Sequence, residues 1–230
     1  MFRRLYSFLP AFIANRIYAL VKEQLEQKEE KKSKEFKERV PQIELKGEHI
    51  KDLKVLTNKD ALLEVLPKHG VVAEIGLARG DYSEKIISRT EPQSLHLIDS
   101  WTAERYKSRK EFVKNRFSRE SEIGLVHIHE GISFLELEKF NDGYFDWVYI
   151  DTDHTYETTA KELEISRKKV KVGGLICGHD YITVTTRAPK VRYGVIEAVH
   201  EFCTKHNWGI VYLTHENHRH LSFALKEISR

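Results

Sequence analysis

From residue 59 to residue 227 the chain switches repeatedly between two periodicities. Short apolar runs read as strands: VVAEIG (71–76), SLHLID (94–99), LVHIHEG (125–131), YFDWVYID (144–151) and GGLICGHD (173–180), the last entered by a Gly-Gly turn. Between them lie stretches with helical spacing, 59–66, 81–90, 103–119, 132–140, 155–170 and 195–206, of which the second opens on Asp81 as an N-cap. Strands joined by helices cannot form simple hairpins, and crossover helices lay successive strands parallel. The pattern therefore predicts an α/β fold with a doubly wound, mostly parallel sheet. GIVYLTH (209–215) and HLSFALKE (220–227) follow one another with no helix between them and predict a C-terminal antiparallel hairpin, which brings the sheet to about seven strands.

The first 45 residues lie outside this alternation and are read as an N-terminal helical arm on a domain spanning 46–230. Leu5, Leu9, Phe12, Ile13, Ile17, Leu20 and Val21 recur at helical spacing, and Lys and Glu dominate from Lys22 to Arg39, with a stop expected near Pro41. Such an arm suits packing on the domain or contact with another copy, giving a homo-oligomer. A membrane-surface helix with Arg3, Arg4 and Arg16 at the headgroups is the sharper alternative. No run reaches the ~18 apolar residues of a membrane span. Pro10, Asn15 and Arg16 interrupt the one stretch that resembles a secretory signal. Cys177 and Cys203 fit no metal spacing and read as reduced thiols, which points to a cytoplasmic protein. Charged residues make up 32% of the chain, yet the net charge is only +3, unlike a dedicated nucleic-acid binder, so the expected partner is a small-molecule substrate.

In an open, Rossmann-like α/β sheet, ligands bind beyond the carboxyl ends of the strands, where the winding reverses. The residues just after each strand therefore carry the functional signal. After the first comes Glu74-Ile75-Gly76-Leu77-Ala78-Arg79-Gly80-Asp81-Tyr82-Ser83, an E-x-G-x-x-x-G turn. A dinucleotide fingerprint needs glycine where Glu74 stands, and a carboxylate there repels a pyrophosphate. It suits a cationic ligand such as S-adenosylmethionine, so Glu74, Gly76, Gly80 and Ser83 are candidate cofactor contacts. Asp99 ends the second strand, 19 residues after Gly80, and can accept both ribose hydroxyls. Trp101 is placed to pack on ribose or adenine. Gly131 and Ser133, after the third strand, form a small polar turn for the adenine edge.

Two further strand ends carry acids. Asp151-Thr152-Asp153-His154 follows the fourth strand and His179-Asp180 the fifth, with Asp151 and Asp180 separated by 29 residues, enough for one helix and one strand. Both carboxylates then meet at one sheet edge on neighbouring strands, about 4.8 Å apart. Converging carboxylates repel unless a cation or proton lies between them, and oxygen-rich sites favour Mg²⁺ or Mn²⁺. Asp151, Asp180 and His179 are the candidate metal ligands, with Asp151 also among the cofactor and catalytic candidates. A nitrogen ligand from His179 tilts the preference toward Mn²⁺, Fe²⁺ or Zn²⁺; the alternative is that His179 points away. His154, three residues after Asp151 and with an ordinary pKa near neutrality, is the candidate catalytic base, or else a brace for its loop. Asp153 fits a ligand, a turn former or the cap of the next helix. His215 and His220 are expected to flank the hairpin turn and pair across it, with His218 in the turn, and the basic segment Arg187–Tyr193 to lie over the site.

Residues 71–182 resemble class I S-adenosylmethionine-dependent methyltransferases, through VVAEIGLARGDYS, LHLIDSW, YFDWVYIDTDHTYE and VGGLICGHDY. More narrowly they are similar to the small-molecule group that includes the macrolide-sugar (macrocin) O-methyltransferases. The resemblance implies metal-assisted O-methylation of a sugar or glycosylated metabolite, with Asp151 and Asp180 matching metal acids and His154 matching a histidine base. His179 departs from it, since that group carries an acid beside the second aspartate. Competing readings are non-methyl chemistry on the same cofactor fold, a dehydrogenase, which Glu74 opposes, and a non-catalytic scaffold, which has no need of acids at successive strand ends.

Overall fold

The computed structural model describes residues 10–102, 107–183, 192–216 and 220–228. The chain separates into two compact units, Met1–Gln42 and Ile43–Arg230. In the first, α1 (Ala11–Arg39) is a 29-residue helix with no buried residue. Lys22–Glu26, Lys31–Glu35 and Lys34–Glu38 pair along it one turn apart. It stops at Val40, whose extended backbone is what the following Pro41 requires. Arg3 and Arg4, the headgroup contacts of the membrane reading, lie outside the described residues. No described helix is long and apolar enough to cross a membrane.

The second unit is an eight-stranded sheet in the order β1-β7-β8-β6-β5-β2-β3-β4. In chain order its elements are β1 (Lys54–Leu56), α2 (Lys59–Val65), β2 (Val71–Ile75), α3 (Asp81–Thr90), β3 (Ser94–Asp99), α4 (Lys107–Arg116), α5 (Ser118–Glu122), β4 (Val126–Glu130), α6 (Ser133–Glu138), β5 (Phe145–Ile150), α7 (Tyr156–Lys169), β6 (Val170–Gly178), α8 (Val195–His206), β7 (Trp208–Thr214) and β8 (Phe223–Glu227). Only β8 runs antiparallel to its neighbours, against β6 and β7. The fold is the doubly wound α/β sheet with a C-terminal antiparallel hairpin that the alternation predicts.

Strand residues divide by parity between two helical layers, as side chains alternate across a sheet. Ala73, Ile75, Ile98, Val148, Ile150 and Ile176 face a core shared with α6, α7 and α8. Val72, Leu95, Leu97, Trp147, Tyr149 and Cys177 face one shared with α2, α3 and α4. From β2 the chain winds outward to β3 and β4, then returns to place β5 on the other side of β2. The winding therefore reverses between β2 and β5, where a ligand crevice opens.

The structure differs from the sequence reading at four places. An eighth strand, β1, pairs parallel to β7 at the sheet edge; three residues with two exposed leave no periodicity to read. Gly173 and Gly174 lie inside β6, not before it, where the ladder with β5 shifts register in a bulge at positive φ. The helix cap is Gly80 in the left-handed region, and Asp81 instead pairs with Arg116 at 2.6 Å. The charged 103–119 segment yields α4 and α5, interrupted at Phe117, which is buried against the cap at Gly80.

At the other sheet edge His96 is buried against Phe140, Tyr144 and Phe145. Its Nδ1 lies 3.0 Å from His129 Nε2 and its Nε2 3.2 Å from the Tyr144 hydroxyl, while His127 stacks on the ring. Burial, with repulsion from His129 and His127, lowers the imidazole to about 4. The unfolded chain then takes up a proton near pH 6.5 that the folded chain refuses until about 4. Stability should fall as pH drops through that window, and His96→Phe should flatten the fall in a series of thermal melts; an unchanged slope would remove His96 as its cause. Trp147 is fully buried in the central strand β5 and donates its indole N–H to Pro67 O at 3.0 Å. Trp147→Ala should cost about 3–5 kcal/mol in denaturant unfolding.

Candidate active site

The crevice is built on one close approach. Gly76 leaves β2 at φ +80, and a Cβ there would sit 2.2 Å from the Asp151 carbonyl oxygen. Two bonds draw the strand ends together: Gly76 N–H donates to Ile98 O and Asp151 N–H to Ile75 O, both at 2.8 Å. The ends of β2, β3 and β5 thus finish at one level, and only glycine fits between them. Asp99, at the end of β3, accepts from Leu77 N at 3.1 Å and from Trp101 N at 2.9 Å, so its carboxylate sets the shape of both turns.

Above these turns lies a cavity of about 490 Å³, within the usual range for small-molecule sites. Gly76, Asp99, Ser133, Asp151 and His154 line it, together with Ala78, Ile98, Ser100, Thr102, Ile132, Phe134, Thr152, Asp153 and Thr158. The sequence-predicted residues Glu74, Gly80, Ser83, Trp101 and Gly131 do not. Trp101, expected to pack on ribose or adenine, instead turns into the core under α3 and α4 and is 3% exposed. Gly80 makes room for the Phe117 ring, which a Cβ would meet at 2.5 Å. Gly131 sits against the Glu136 side chain, its N–H donating to Asp99 O at 3.1 Å.

Glu74 is on the face of β2 that meets α3, and its carboxyl takes a short hydrogen bond from the Ser83 hydroxyl. Burial raises it to about 8 against the pull of Ser83. It is therefore mostly protonated at neutral pH. The cationic complement expected from Glu74 is replaced by a neutral bond that ties the first turn of α3 to the strand.

Asp151 and Asp180 do converge, on the adjacent strands β5 and β6. Three histidines surround them. His154, at φ +62, points Nδ1 toward Asp151 Oδ1 at 4.0 Å and Nε2 toward Asp180 Oδ2 at 3.2 Å. His179 places Nδ1 between the two carboxylates, 3.6 Å from Asp151 Oδ2 and 3.5 Å from Asp180 Oδ1. His220, from the segment before β8, bonds Asp180 Oδ1 through Nδ1. Burial alone would lower the His179 imidazole, but its bonds to the two aspartates outweigh that and push it up to about 9. Burial alone would likewise raise Asp180, and the three histidines together hold it well below the usual carboxylate range. The repulsion between the acids is thus compensated from within the chain by an imidazolium. Donor atoms of Asp151, His154 and Asp180 lie within 4.8 Å of one another, close enough to share an ion.

One neighbour of this site escaped the sequence reading. His220 was expected to pair with His215 across the hairpin, yet the ladder ends at Phe223 and His215 N–H bonds Leu56 O on β1. The Tyr193 ring lies 4.6 Å from that of His154. It is brought there by Gly194, whose N–H donates to His154 O at 2.9 Å and whose Cβ position is filled by Tyr156. Asp153 braces the loop, accepting from Thr155 N at 3.0 Å and from the Thr158 hydroxyl at 2.9 Å, beside the Thr155 cap of α7. His218 and residues 187–191 lie outside the described residues.

A family model described as a methyltransferase domain (Methyltransf_24) matches residues 73–181, which run from β2 through both acidic strand ends. No curated protein sequence matches the chain significantly. Among solved structures, precorrin-6y C5,15-methyltransferase from Geobacter metallireducens GS-15 superposes with a TM-score of 0.55 at 12% identity, over 74% of this chain and 86% of its own. The B. subtilis tRNA methyltransferase TrmK gives 0.51 at 14% identity, over 76% of this chain and 67% of its own. The Streptococcus mutans protein SMU.1697c, solved in complex with SAH, gives 0.51 at 11% identity, over 72% and 92%. At these identities the superpositions speak for the fold, which is that of S-adenosylmethionine-dependent methyltransferases, and the match over residues 73–181 is to a methyltransferase domain, so this chain is read as a methyltransferase.

Proposed function

We propose that the enzyme transfers the methyl group of S-adenosylmethionine to a hydroxyl oxygen of a small molecule, a sugar or glycosylated metabolite. The observation that carries this reading is that His154 and Asp151 line the same cavity as Gly76, Asp99 and Ser133. A base and a methyl donor in one cavity are what oxygen methylation needs. The hydroxyl oxygen attacks the methyl carbon, the carbon–sulfur bond breaks, and the sulfonium leaves as neutral S-adenosylhomocysteine. The hydroxyl proton passes to His154, whose Nε2 side is held by Asp180. Asp99 and Ser133 are the residues at hand for the ribose and adenine. A small-molecule substrate rather than a nucleic acid accords with a net charge of only +3.

The acids also fit a divalent cation, as their clustered donor atoms indicate. Asp151 and Asp180 would hold it. His154 completes that cluster; for His154 to stay free as the base, a deprotonated His179, whose Nδ1 lies 3.6 Å from Asp151 Oδ2 and 3.5 Å from Asp180 Oδ1, would take its place as the nitrogen donor. Such an ion supplies acidity to a bound hydroxyl.

Calorimetric titration should give micromolar binding of S-adenosylmethionine and S-adenosylhomocysteine to the wild-type protein. His154→Ala should leave that binding within a few-fold and lower turnover by roughly 10²–10⁴; full activity in this variant would end the base assignment. Mn²⁺ binding followed by electron paramagnetic resonance should weaken by about tenfold or more in Asp180→Asn. Equal binding in the two proteins would remove the metal from this site.

A further inference from the structure

Glu162, on α7, is fully buried and plays no part in the chemistry above. Its Oε2 accepts a hydrogen bond from the Thr152 hydroxyl at 2.9 Å, while Oε1 is buried with no hydrogen-bond partner among the described residues. The Ser133 hydroxyl also acts on this carboxyl. Ser133 and Thr152 both line the 490 Å³ cavity, from opposite strand ends: Ser133 opens α6 after β4, and Thr152 follows β5. A glutamate buried in a helix, with one oxygen unsatisfied, is costly unless something is gained by keeping it there. Burial pushes it up to about 8, so it is largely a neutral acid that can donate as well as accept.

We propose that Glu162 is a positioning residue for the cofactor: through hydrogen bonds to Thr152 and Ser133 it fixes the two turns that form the cavity wall beneath the methyl donor. The Thr152 hydroxyl donates to Oε2 and the Ser133 hydroxyl acts as a donor toward the same carboxyl, so one side chain sets the spacing between the β4 and β5 ends. Glu162 does not line the cavity itself and acts through these two hydroxyls.

This inference rests on reading the cavity as the cofactor site. The test is calorimetric titration with S-adenosylhomocysteine of the wild type, Glu162→Met, Glu162→Gln and Thr152→Val, with a thermal melt of each. Met keeps the packing and removes both bonds; Gln keeps a neutral donor and acceptor. Glu162→Met should weaken binding by roughly tenfold or more, Glu162→Gln should restore it to within about threefold of wild type, and Thr152→Val should weaken it in the same direction. Should Glu162→Met not fold, Glu162→Gln and Thr152→Val decide. Wild-type affinity in Glu162→Met or in Thr152→Val, or a loss in Glu162→Gln as large as in Glu162→Met, would overturn the proposal. A wild-type protein that binds no S-adenosylhomocysteine would instead overturn the reading of the cavity.

Discussion

The site depends on backbone meeting backbone at Gly76. The turn that leaves β2 passes so close to the end of β5 that a Cβ would fall 2.2 Å from the Asp151 carbonyl oxygen. That contact, with Gly76 N–H on Ile98 O and Asp151 N–H on Ile75 O, locks three parallel strands at a common level. Everything the cavity uses is then set by where each strand stops. Asp99, Ser133, Asp151 and Asp180 follow four different strands, yet the shared level of the sheet edge brings them into one region. A single residue of slip in any strand would turn its terminal acid to the opposite face.

Around that edge the protein handles buried acids in two ways. Glu74 and Glu162 are buried on opposite sides of the sheet, neither of them lining the cavity, and burial raises both to about 8, so each serves as a neutral hydrogen-bonding group. Asp151 lines the cavity and Asp180 is buried after the adjacent strand, and there histidines compensate the charge. His179 bridges them, and His154 and His220 flank Asp180. A buried carboxyl is therefore neutral or charged according to what surrounds it. The neutral pair bonds Ser83 and Thr152 without adding charge to the cavity, and the charged pair is held by the three histidines.

Glu74, expected to complement a cationic ligand, is instead buried away from the cavity lining. Its role in the folded chain is to bond Ser83 across the β2–α3 layer, which depends on Glu74 pointing to the even-numbered face of β2 with Val72. Trp101 shows the same limit. Its place after Asp99 is right for a ribose, but its positive φ turns the ring into the core beside Val113 and Phe117.

By itself the sequence determined the order of elements, the winding and the strand-end acids, because these are local: apolar runs of five or six residues, helical spacing between them, and glycine where a turn must be tight. It marked Gly76, Asp99, Ser133, Asp151, His154 and Asp180 for the same reason, since each sits just beyond a legible strand. Only the tertiary structure decided the rest. His220 joins Asp180 across 40 residues of chain, and Glu162 reaches Thr152 from the middle of a helix whose pattern marks it merely as polar. β1 exists only because β7 offers it an edge. These are pairings between segments distant in sequence, fixed by burial and by unsatisfied polar groups seeking partners, and no periodicity in a single chain records them.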